Sequence, residues 1–416
     1  MATRAGSSRA GAGAGTRMFG ALQVRDYRLL WIGLVISNVG SWMQLIALGW
    51  HVYLLTSSPF YLGLLGLARA LPVFVFSLLG GVLADRVDRR QVMLAANTAS
   101  LVFAGLLGLL TATGVATVWH VLALALLAAA AASFEVPARQ SLMPELVPKE
   151  QVVNAIGLNS AAFNGAGIIG PALGALAIDW LGIGAAYLLN SISFLAVILG
   201  VWLMRTPRSG GAGVGAGMFG PLLEGLRYVR RTTTVLALVL TVAVVSLLCR
   251  PYTQLMPAFA RDVLGGDASS LGLLMAASGV GAFGASLLVA YLGSFRRRGL
   301  VLLAMAGLFA LALLAFAVSR WMLLSALLSG LAGFASTFYL STTNTMLQLT
   351  APPGLRGRVI SLYALIVMGL MPLGTLVLGS LGDALGVPLA VALGSAIVLL
   401  WVGGVALAVP GVKLLE

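Results

Sequence analysis

Charged residues are scarce in this chain of 416 residues, because Asp, Glu, Lys and Arg together make up only 9% of it. Hydrophobic residues make up 60%, and the mean hydropathy is +1.03. That composition excludes an ordinary water-soluble protein, whose surface needs far more polar groups. A single cysteine, Cys249, excludes an internal disulfide and argues against a cysteine-based metal site. The two histidines, His51 and His120, are too far apart in sequence to suggest a metal site.

Acidic residues are rarer than basic ones: 12 Asp and Glu stand against 25 Lys and Arg, giving a net charge of +13. A basic surplus of this size can indicate nucleic-acid binding. Here, however, the basic residues are dispersed over short connections and are not gathered in a soluble domain. We therefore expect membrane lipids, and no nucleic acid, as the partner of these charges.

Apolar stretches long enough to cross a bilayer, which takes about 20 residues each, recur along the whole chain. Charged residues and Pro, Gly or Ser breaks divide the chain into predicted spans, numbered here from span 1 to span 12. The 52 glycines are typical of membrane helices that pack closely. The predicted spans are centred near residues 41, 71, 102, 128, 166, 194, 247, 282, 309, 335, 370 and 398.

Two polar segments set the domain boundaries. The basic tail, residues 1–25, starts as a Gly, Ala, Ser and Arg sequence without the apolar core of a signal peptide, and we expect it to be disordered. Residues 205–233 form the only long polar linker inside the chain. We therefore predict two six-helix bundles, over residues 26–204 and 234–410.

The distribution of Lys and Arg predicts the orientation. These residues concentrate in the tail, the linker and alternate connections, whereas the intervening connections contain only Arg261 and Arg320. Cytoplasmic connections carry the excess of basic residues in membrane proteins. We therefore predict that both termini and the linker are cytoplasmic. We call the predicted cytoplasmic end of the spans the basic end, and the other end of the spans the opposite end.

The second half of the chain repeats the first. Residues 61–89 align without gaps on residues 270–298, at an offset of 209, so that Gly63 matches Gly272. Further along, the tetrapeptides DWLG and DALG align at an offset of 204. Six helices followed by six more, in parallel repeats, is the architecture of many secondary transporters. The sequence thus predicts an all-α membrane protein with two pseudo-symmetric halves.

Polar residues share one helical face in three predicted spans. In span 1, Ser37, Ser41 and Gln44 follow helical spacing, with Asn38 beside them. At the offset of 209, the three residues match Ser246, Arg250 and Thr253 in span 7. In span 10, four polar residues share one face: Thr337, Ser341, Asn344 and Gln348. Such side chains often bond only to backbone carbonyls. Because the stripe repeats at matched positions in spans 1 and 7, we interpret it as a substrate pathway.

Two arginines, Arg69 and Arg250, lie inside predicted spans, where a charge is costly and faces protein or a water-filled cavity. Each precedes a proline, Pro72 or Pro251, and a proline leaves a backbone carbonyl without its usual partner. Each arginine can therefore satisfy loose backbone, or it can contact an anionic or carbonyl-rich substrate. Both interpretations stay open at this point.

The charged stretch GVLADRVDRR, residues 81–90, resembles the signature of the major facilitator superfamily between its second and third helices. Asp88 stands where the family pattern has Gly. LADRVDRR, GSWMQLIALGWHVYLLTSSP and PARQSLMPELVP resemble the branch that contains enterobactin exporters and macrolide efflux proteins. The resemblance covers nearly the whole chain and implies that spans 1, 4, 7 and 10 line a central cavity. GAGIIGPALGALA in span 5 is similar to a motif of antiporters, which implies export.

The resemblance also implies a latch at the basic end. Arg86, Arg89 and Arg90 can be explained by membrane orientation alone, whereas Asp85 and Asp88 cannot. A carboxylate there can bind a helix N-terminus or a basic group on the other half, and release it when the halves separate. The predicted gating and coupling residues outside this stretch are Glu135 and Arg139 in span 4, and Arg356 and Arg358 at the start of span 11.

The sequence therefore predicts a secondary transporter in a bacterial inner membrane, acting as a monomer. We expect export of a small amphipathic or hydrophobic molecule, siderophore-like or drug-like, by alternating access. Proton coupling is expected, with Glu135 and, less directly, Asp85 as the candidates, because no carboxylate lies in the middle of a span. An importer or a lipid flippase of the same fold is the alternative.

An enzyme is not expected, because no span contains a polar catalytic cluster. The run GVGAFG, residues 279–284, fits the glycine spacing of a dinucleotide site. Such a site needs a preceding strand and a following acidic residue, whereas this run lies within an apolar span. We therefore expect these glycines to serve helix packing, and we expect no cofactor.

Overall fold

A computed structural model describes residues 19–84, 88–205, 219–293 and 297–413, and within these ranges the regular structure is entirely helical. Twelve of the described helices are long and apolar enough to cross a membrane, and each contains one predicted centre. The prediction of twelve spans is thereby confirmed. Spans 1 to 6 are Arg25–Thr56, Pro59–Ala84, Arg89–Ala112, Val118–Leu142, Val152–Leu181 and Ile183–Trp202. Spans 8 to 12 are Ala268–Leu292, Arg298–Val318, Met322–Thr350, Arg356–Leu385 and Val387–Ala408.

Span 7 is broken near its middle. Its first part, Thr233–Leu248, is followed by a turn and then by Tyr252–Ala258, which continues into a π-helical turn, Phe259–Val263. Pro251 stands at the break, and a proline has no N–H to continue the helical hydrogen bonding. The break changes the direction in which residues before and after it point.

The turns between the spans contain local signals that repeat in the two halves. Gly182 joins spans 5 and 6 with φ +86°, and Gly386 joins spans 11 and 12 with φ +85°, a region that favours glycine. At the start of span 8, the carboxylate of Asp267 accepts a hydrogen bond from the backbone N–H of Ser270 at 2.9 Å. This bond, together with one from the Ser270 hydroxyl, holds the pKa of Asp267 below its usual range.

The two halves pack against each other through two helix pairs, span 2 with span 11 and span 5 with span 8. Glycine permits each close approach. A Cβ on Gly63 would lie 2.6 Å from the Cα of Leu376, and one on Gly272 would lie 2.4 Å from the Cβ of Ala175. The two glycines are the pair matched by the sequence repeat, so the inter-half contacts follow the same pseudo-symmetry.

The outer surface of the bundle is suited to a lipid environment. Large apolar side chains such as Leu400 and Leu407 are exposed along the spans. Exposed aromatic residues lie near the span ends: Trp180 at the opposite end, and Trp202 and Tyr291 at the basic end. Trp and Tyr are enriched at membrane–water interfaces. The chain is therefore a multi-pass membrane protein.

The prediction of disorder through residue 25 is wrong for its last part. Gly20–Gln23 form a 3-10 turn before span 1. Ala21 is fully buried, and its N–H donates to the Asn154 side-chain oxygen at 3.0 Å. The turn is ordered because it packs against span 5, a contact that composition does not reveal.

The linker between the halves contains a helix, Phe219–Arg231, which packs against span 11. Glu224 of this linker helix forms an ion pair with Arg358. The hydroxyl of Tyr228 donates to the carbonyl of Thr350 at 3.3 Å. The linker is therefore attached to the C-terminal half at the basic end.

Candidate functional site

A cavity of about 310 Å³ lies inside the N-terminal half, and we call it the N-terminal cavity. Its walls come from spans 1, 2, 3, 4 and 6. Successive turns of span 1 each place a polar side chain on the wall of this cavity, as the helical spacing predicts. The residues of span 1 predicted for the substrate pathway all line this cavity, namely Ser37, Asn38, Ser41 and Gln44.

Spans 3 and 6 complete the polar wall with residues that sequence reasoning missed: Asn97, Ser100 and Asn190. The side-chain nitrogen of Asn190 donates to the side-chain oxygen of Gln44, which connects spans 6 and 1. Each amide stands in a short polar cluster of an otherwise apolar span, Asn97 with Thr98 and Ser100, and Asn190 with Ser191 and Ser193. Those clusters were the available signal, because polar residues inside a membrane helix face other helices or a cavity.

Span 4 forms a wall that is apolar along most of its length, as its sequence predicts. Ala125, Ala128 and Ala132 line the cavity before the chain reaches Glu135 and Arg139. The carboxylate of Glu135 accepts a hydrogen bond from Nε of Arg139 at 2.9 Å. Arg139 also donates to the side-chain oxygen of Asn159, at 3.2 Å. The ion pair between Glu135 and Arg139, on adjacent turns of span 4, thus forms the part of the cavity wall nearest the basic end.

A second cavity, of about 480 Å³, lies between the two halves, and we call it the interface cavity. Arg250 and Thr253 of span 7 and Thr337 of span 10 line it, as predicted for the substrate pathway. Most of its remaining wall is apolar. The large apolar residues that line it are Trp42, Leu45, Met256, Met275, Phe283 and Met371.

Arg69 of span 2 lines both cavities, and so does Leu45 of span 1. The two spaces therefore meet at these side chains. Within the described residues, the guanidinium of Arg69 has neither a hydrogen bond nor an ion pair with the protein. Arg250 differs, because its Nη1 donates to the backbone carbonyl of Val367 in span 11 at 2.9 Å.

The two halves are bonded to each other at the opposite end. The hydroxyl of Tyr53 donates to the carboxylate of Asp262, and Arg261 donates to the backbone carbonyl of Tyr53 at 3.3 Å. The Arg261 guanidinium also lies over the Tyr53 ring, 5.8 Å from its centre. Ser58 donates to Asp383 at 2.7 Å. We call these five residues the opposite-end cluster.

Sequence reasoning missed the opposite-end cluster, although the repeat contained a signal for it. Tyr53 and Asp262 are 209 residues apart, which is the offset between the two halves. Residues at matched positions near a two-fold pseudo-axis approach each other across that axis. Among the described residues, the hydrogen bonds that join the two halves lie at the opposite end only.

Comparison with known proteins identifies the family of this chain. A family model described as a transmembrane secretion effector matches residues 16–414. The chain belongs to this family of major facilitator transporters. The superfamily predicted from the charged stretch is confirmed.

Three curated relatives in the superfamily are named for efflux or for siderophore transport. Macrolide efflux protein A of Streptococcus pyogenes is 23% identical, and the match covers 86% of this chain and 89% of that protein. The multidrug efflux pump Tap of Mycolicibacterium fortuitum is 25% identical, with coverage of 93% and 96%. The staphyloferrin A transporter of Staphylococcus aureus is 24% identical, with coverage of 84% and 87%.

Solved structures of other transporters share the fold. A bacterial homologue of the human lysosomal transporter Spinster, in an inward-facing and unoccupied conformation, superposes with a TM-score of 0.68 at 18% identity. The match covers 97% of each chain. The nucleoside transporter NupG gives a TM-score of 0.74 at 12% identity, covering 91% of this chain and 98% of that one. At these identities the likeness concerns the fold alone.

The charged residues of the major facilitator signature that the structure describes, Asp88, Arg89 and Arg90, have partners within the N-terminal half. Asp85 and Arg86 lie outside the described residues. The carboxylate of Asp88 accepts from the backbone N–H of Arg90 at 3.0 Å and so caps span 3. Arg89 forms an ion pair with Glu145.

Arg90 bonds to carbonyls of its own half, and Arg358 of span 11 bonds to the linker helix. Arg90 donates to the carbonyls of Val201 and Met204, at 2.8 and 3.0 Å. Arg358 is paired with Glu224, and Arg356 is exposed at the first position of span 11. Arg358 thus bonds to the linker helix, and its predicted pairing with Asp85, which lies outside the described residues, stays a prediction.

Four predicted pathway residues line neither cavity. Ser246 is fully buried and its hydroxyl has no hydrogen-bond partner in the described protein, so its predicted cavity position is wrong. The first helix of span 7 ends at Leu248, so Arg250 lies in the following turn and not on the continuous helical face that the spacing assumed. Ser341, Asn344 and Gln348 lie at least partly exposed on span 10, toward the basic end, and Gln348 bonds to Asn344. These three residues lie nearer the basic end of span 10 than Thr337, which lines the interface cavity.

The glycine run GVGAFG is part of the span 8 helix. Gly279 and Gly281 lie against other spans, and a Cβ on Gly281 would come within 1.9 Å of the carbonyl oxygen of Gly330 in span 10. The prediction that this run serves helix packing is confirmed by the contacts. Among the described residues, no group of three His, Cys, Asp or Glu side chains could hold a metal ion.

Proposed function

We propose that this protein exports a small amphipathic molecule across a bacterial inner membrane by alternating access. The observation that carries the proposal is the arrangement of the inter-half bonds. In the described part of the chain they close the opposite end, while the two cavities lie between the middle of the bundle and the basic end. Two rigid halves with a site between them can expose that site to each side in turn.

The distribution of basic residues supports an orientation with the basic end in the cytoplasm. Both termini and the linker then lie in the cytoplasm, and the conformation described here loads its ligand from that side. The relatives named above are bacterial, which supports a location in a bacterial cell membrane. The spans of one chain suffice to line both cavities, so the transport unit that we propose is a monomer.

Export is the direction that the relatives favour, since two of those named above are efflux proteins. The glycine–proline segment of span 5 supports the same direction. Pro171 of that segment lines the interface cavity, and Gly170 and Gly174 lie against Trp42 and Met43 of span 1. The segment therefore contributes both a wall of the site and the close packing beside it.

We further propose that proton movement drives export and that Glu135 carries the proton. Glu135 is the only carboxylate among the described residues that line the two cavities. Its bond to Arg139 holds the charged form, whereas protonation would release Arg139 to Asn159 and to the cavity. A carboxylate whose partner changes with protonation is suited to couple proton movement to a conformational change.

The test uses purified protein in sealed vesicles that contain a pH-sensitive dye. Erythromycin, tetraphenylphosphonium and 4-phenylbutyrate are added in turn, and movement of protons against the added compound is recorded. The wild type should give a proton signal with at least one compound, and Glu135→Gln should abolish it. Glu145→Gln is the matched control, because Glu145 lies at the same end and pairs with Arg89 but lines neither cavity.

A Glu135→Gln variant that moves protons as fast as the wild type would reject Glu135 as the proton carrier. Compound uptake at the same rate with and without a pH gradient would reject proton coupling altogether.

A further inference from the structure

The charges on the cavity walls are unbalanced. Glu135 and Arg139 neutralise each other through their ion pair. Arg69 and Arg250 have no carboxylate partner in the described structure, and no further Asp or Glu lines either cavity. The connected space is therefore lined by uncompensated positive charge, in a protein region where a lone charge is costly.

Arg69 is the less satisfied of the two arginines. Arg250 already donates to the carbonyl of Val367, whereas Arg69 donates to nothing in the described protein. The side-chain nitrogen of Asn38, which also lines the N-terminal cavity, likewise has no hydrogen-bond partner within the described residues. A planar guanidinium and an amide without partners in the described structure thus stand on the walls of one cavity, and guanidinium groups bind carboxylates through two parallel hydrogen bonds.

The wall beyond Arg69 has a different chemistry. The interface cavity offers three methionines, Met256, Met275 and Met371, together with the rings of Trp42 and Phe283. Methionine adapts its shape and aromatic faces supply large apolar area, so such a wall accepts apolar bodies of varied outline. Because Arg69 lines both cavities, one ligand can contact the free donors and the apolar wall at the same time.

We propose that the ligand of this site is an organic carboxylate with an apolar body: the carboxylate binds Arg69, and the body occupies the interface cavity. The proposal names the substrate class of the transport function proposed above and rests on it for its biological meaning. A cationic amphiphile is disfavoured, because its charge would lie beside an uncompensated guanidinium and would find no free carboxylate.

The test compares two radiolabelled probes that share an apolar body and differ in the sign of their charge, 4-phenylbutyrate and 4-phenylbutylamine. Equilibrium binding is measured with the purified full-length protein, without any gradient, and empty carriers give the background. The wild type should bind the acid at least tenfold more tightly than the amine. Equal affinity for both probes, or no binding of the acid, would overturn the proposal.

Variants then locate the carboxylate. Arg69→Gln should weaken acid binding at least tenfold and remove the preference over the amine, whereas Arg69→Lys should keep the preference in reduced form. Arg230→Gln is the matched control and should change acid binding less than threefold, because Arg230 is exposed on the linker helix and lines neither cavity. Unchanged acid binding in Arg69→Gln would overturn the proposal, and if that variant does not fold, loss of the preference in Arg69→Lys would do so.

The binding assay separates this inference from the exporter proposal. A protein that prefers the acid but gives no gradient-dependent transport would retain the carboxylate site and reject the exporter. Gradient-dependent transport of tetraphenylphosphonium, without a preference for the acid in binding, would support the exporter and reject the carboxylate site.

Discussion

Two arginines within the spans, Arg69 and Arg250, satisfy their charges in different ways. The Arg250 guanidinium bonds to a backbone carbonyl of span 11, so it connects two helices of the C-terminal half while also lining the interface cavity. The Arg69 guanidinium has no such bond in the described protein and faces the point where the cavities meet. The same residue type can therefore be structural at one position and available for a ligand at another.

Replacing each arginine by glutamine should separate these roles. Arg250→Gln should lower the melting temperature in detergent, because it removes a charge-assisted hydrogen bond, which is worth about 1.5–3 kcal/mol. Arg69→Gln should leave the melting temperature unchanged or raise it, because a poorly compensated charge is removed at no cost in bonding. Equal destabilisation by both substitutions would contradict the difference assigned to the two side chains.

At the scale of the helix, glycine decides how closely neighbouring spans approach. Gly281 of span 8 lies against the backbone of span 10, and Gly63 and Gly272 permit the contacts between the two halves. The apolar sequence makes each span helical, since backbone groups in a bilayer must be bonded internally. The helix face on which glycine leaves no side chain then determines which neighbouring span can pack closely against it. Pro251 has the opposite effect, because it breaks span 7 and turns Ser246 away from the cavity.

Two glycine-to-alanine substitutions in span 8 test this packing. Gly281→Ala should destabilise the protein by about 1–3 kcal/mol, because the added methyl group would overlap the Gly330 carbonyl oxygen. Gly284→Ala, three residues further along the same helix, should not destabilise it, because nothing lies within 4 Å of the new methyl group. Thermal unfolding in detergent measures both. A stable Gly281→Ala variant would show that spans 8 and 10 are not packed as closely as described.

At the scale of the whole molecule, the described polar groups bond across the two halves at the opposite end but not at the basic end. The opposite-end cluster joins the halves through Tyr53, Asp262 and Arg261. At the basic end, Arg89, Arg90 and Arg358 bond within their own half or to the linker helix. We expect the balance between these two sets of bonds to set the equilibrium between conformations open at either end.

Tyr53→Phe should shift that equilibrium toward opening at the opposite end. The substitution removes a hydrogen bond to a carboxylate, worth about 1.5–3 kcal/mol, so we expect a shift of roughly tenfold or more in the ratio of states. Spin labels at Val115 and Trp321, in a Cys249→Ser background, would report the distance between the halves there.

Tyr291→Phe is the matched control for this experiment, because Tyr291 is exposed at the other end of the bundle. It should leave the distance distribution as in the parent. Identical distributions for Tyr53→Phe and the parent would show that the cluster does not hold the opposite end closed.

Asp85→Asn should act in the other direction. If the signature acts as a latch, loss of this carboxylate should favour the conformation open at the basic end while the retained arginines preserve insertion. A cysteine introduced at Ser41, on the N-terminal cavity wall, should then be labelled faster from the basic side. Glu150→Gln, which removes an exposed carboxylate at the same end, should not change the labelling rate. Unchanged labelling with full transport in Asp85→Asn would rule out the latch.

The amino-acid sequence by itself determined the elements of this protein and their repetition. Hydropathy located all twelve spans, since a bilayer-crossing helix needs a long apolar run and little else in this chain interrupts one. The offset between the halves matched Gly63 with Gly272, which occupy corresponding inter-half contacts. Helical spacing also identified the polar face of span 1 that lines the N-terminal cavity.

Only the tertiary structure decided what each of those faces meets. Spacing shows that Ser246 and Arg250 share a face of an unbroken helix, but the turn before Pro251 buries one and leaves the other in the cavity. Asn97 and Asn190 join the cavity wall, and Glu224 pairs with Arg358, through contacts between segments far apart in sequence. Periodicity is a property of one helix, whereas a cavity or an ion pair depends on how several helices are placed against each other.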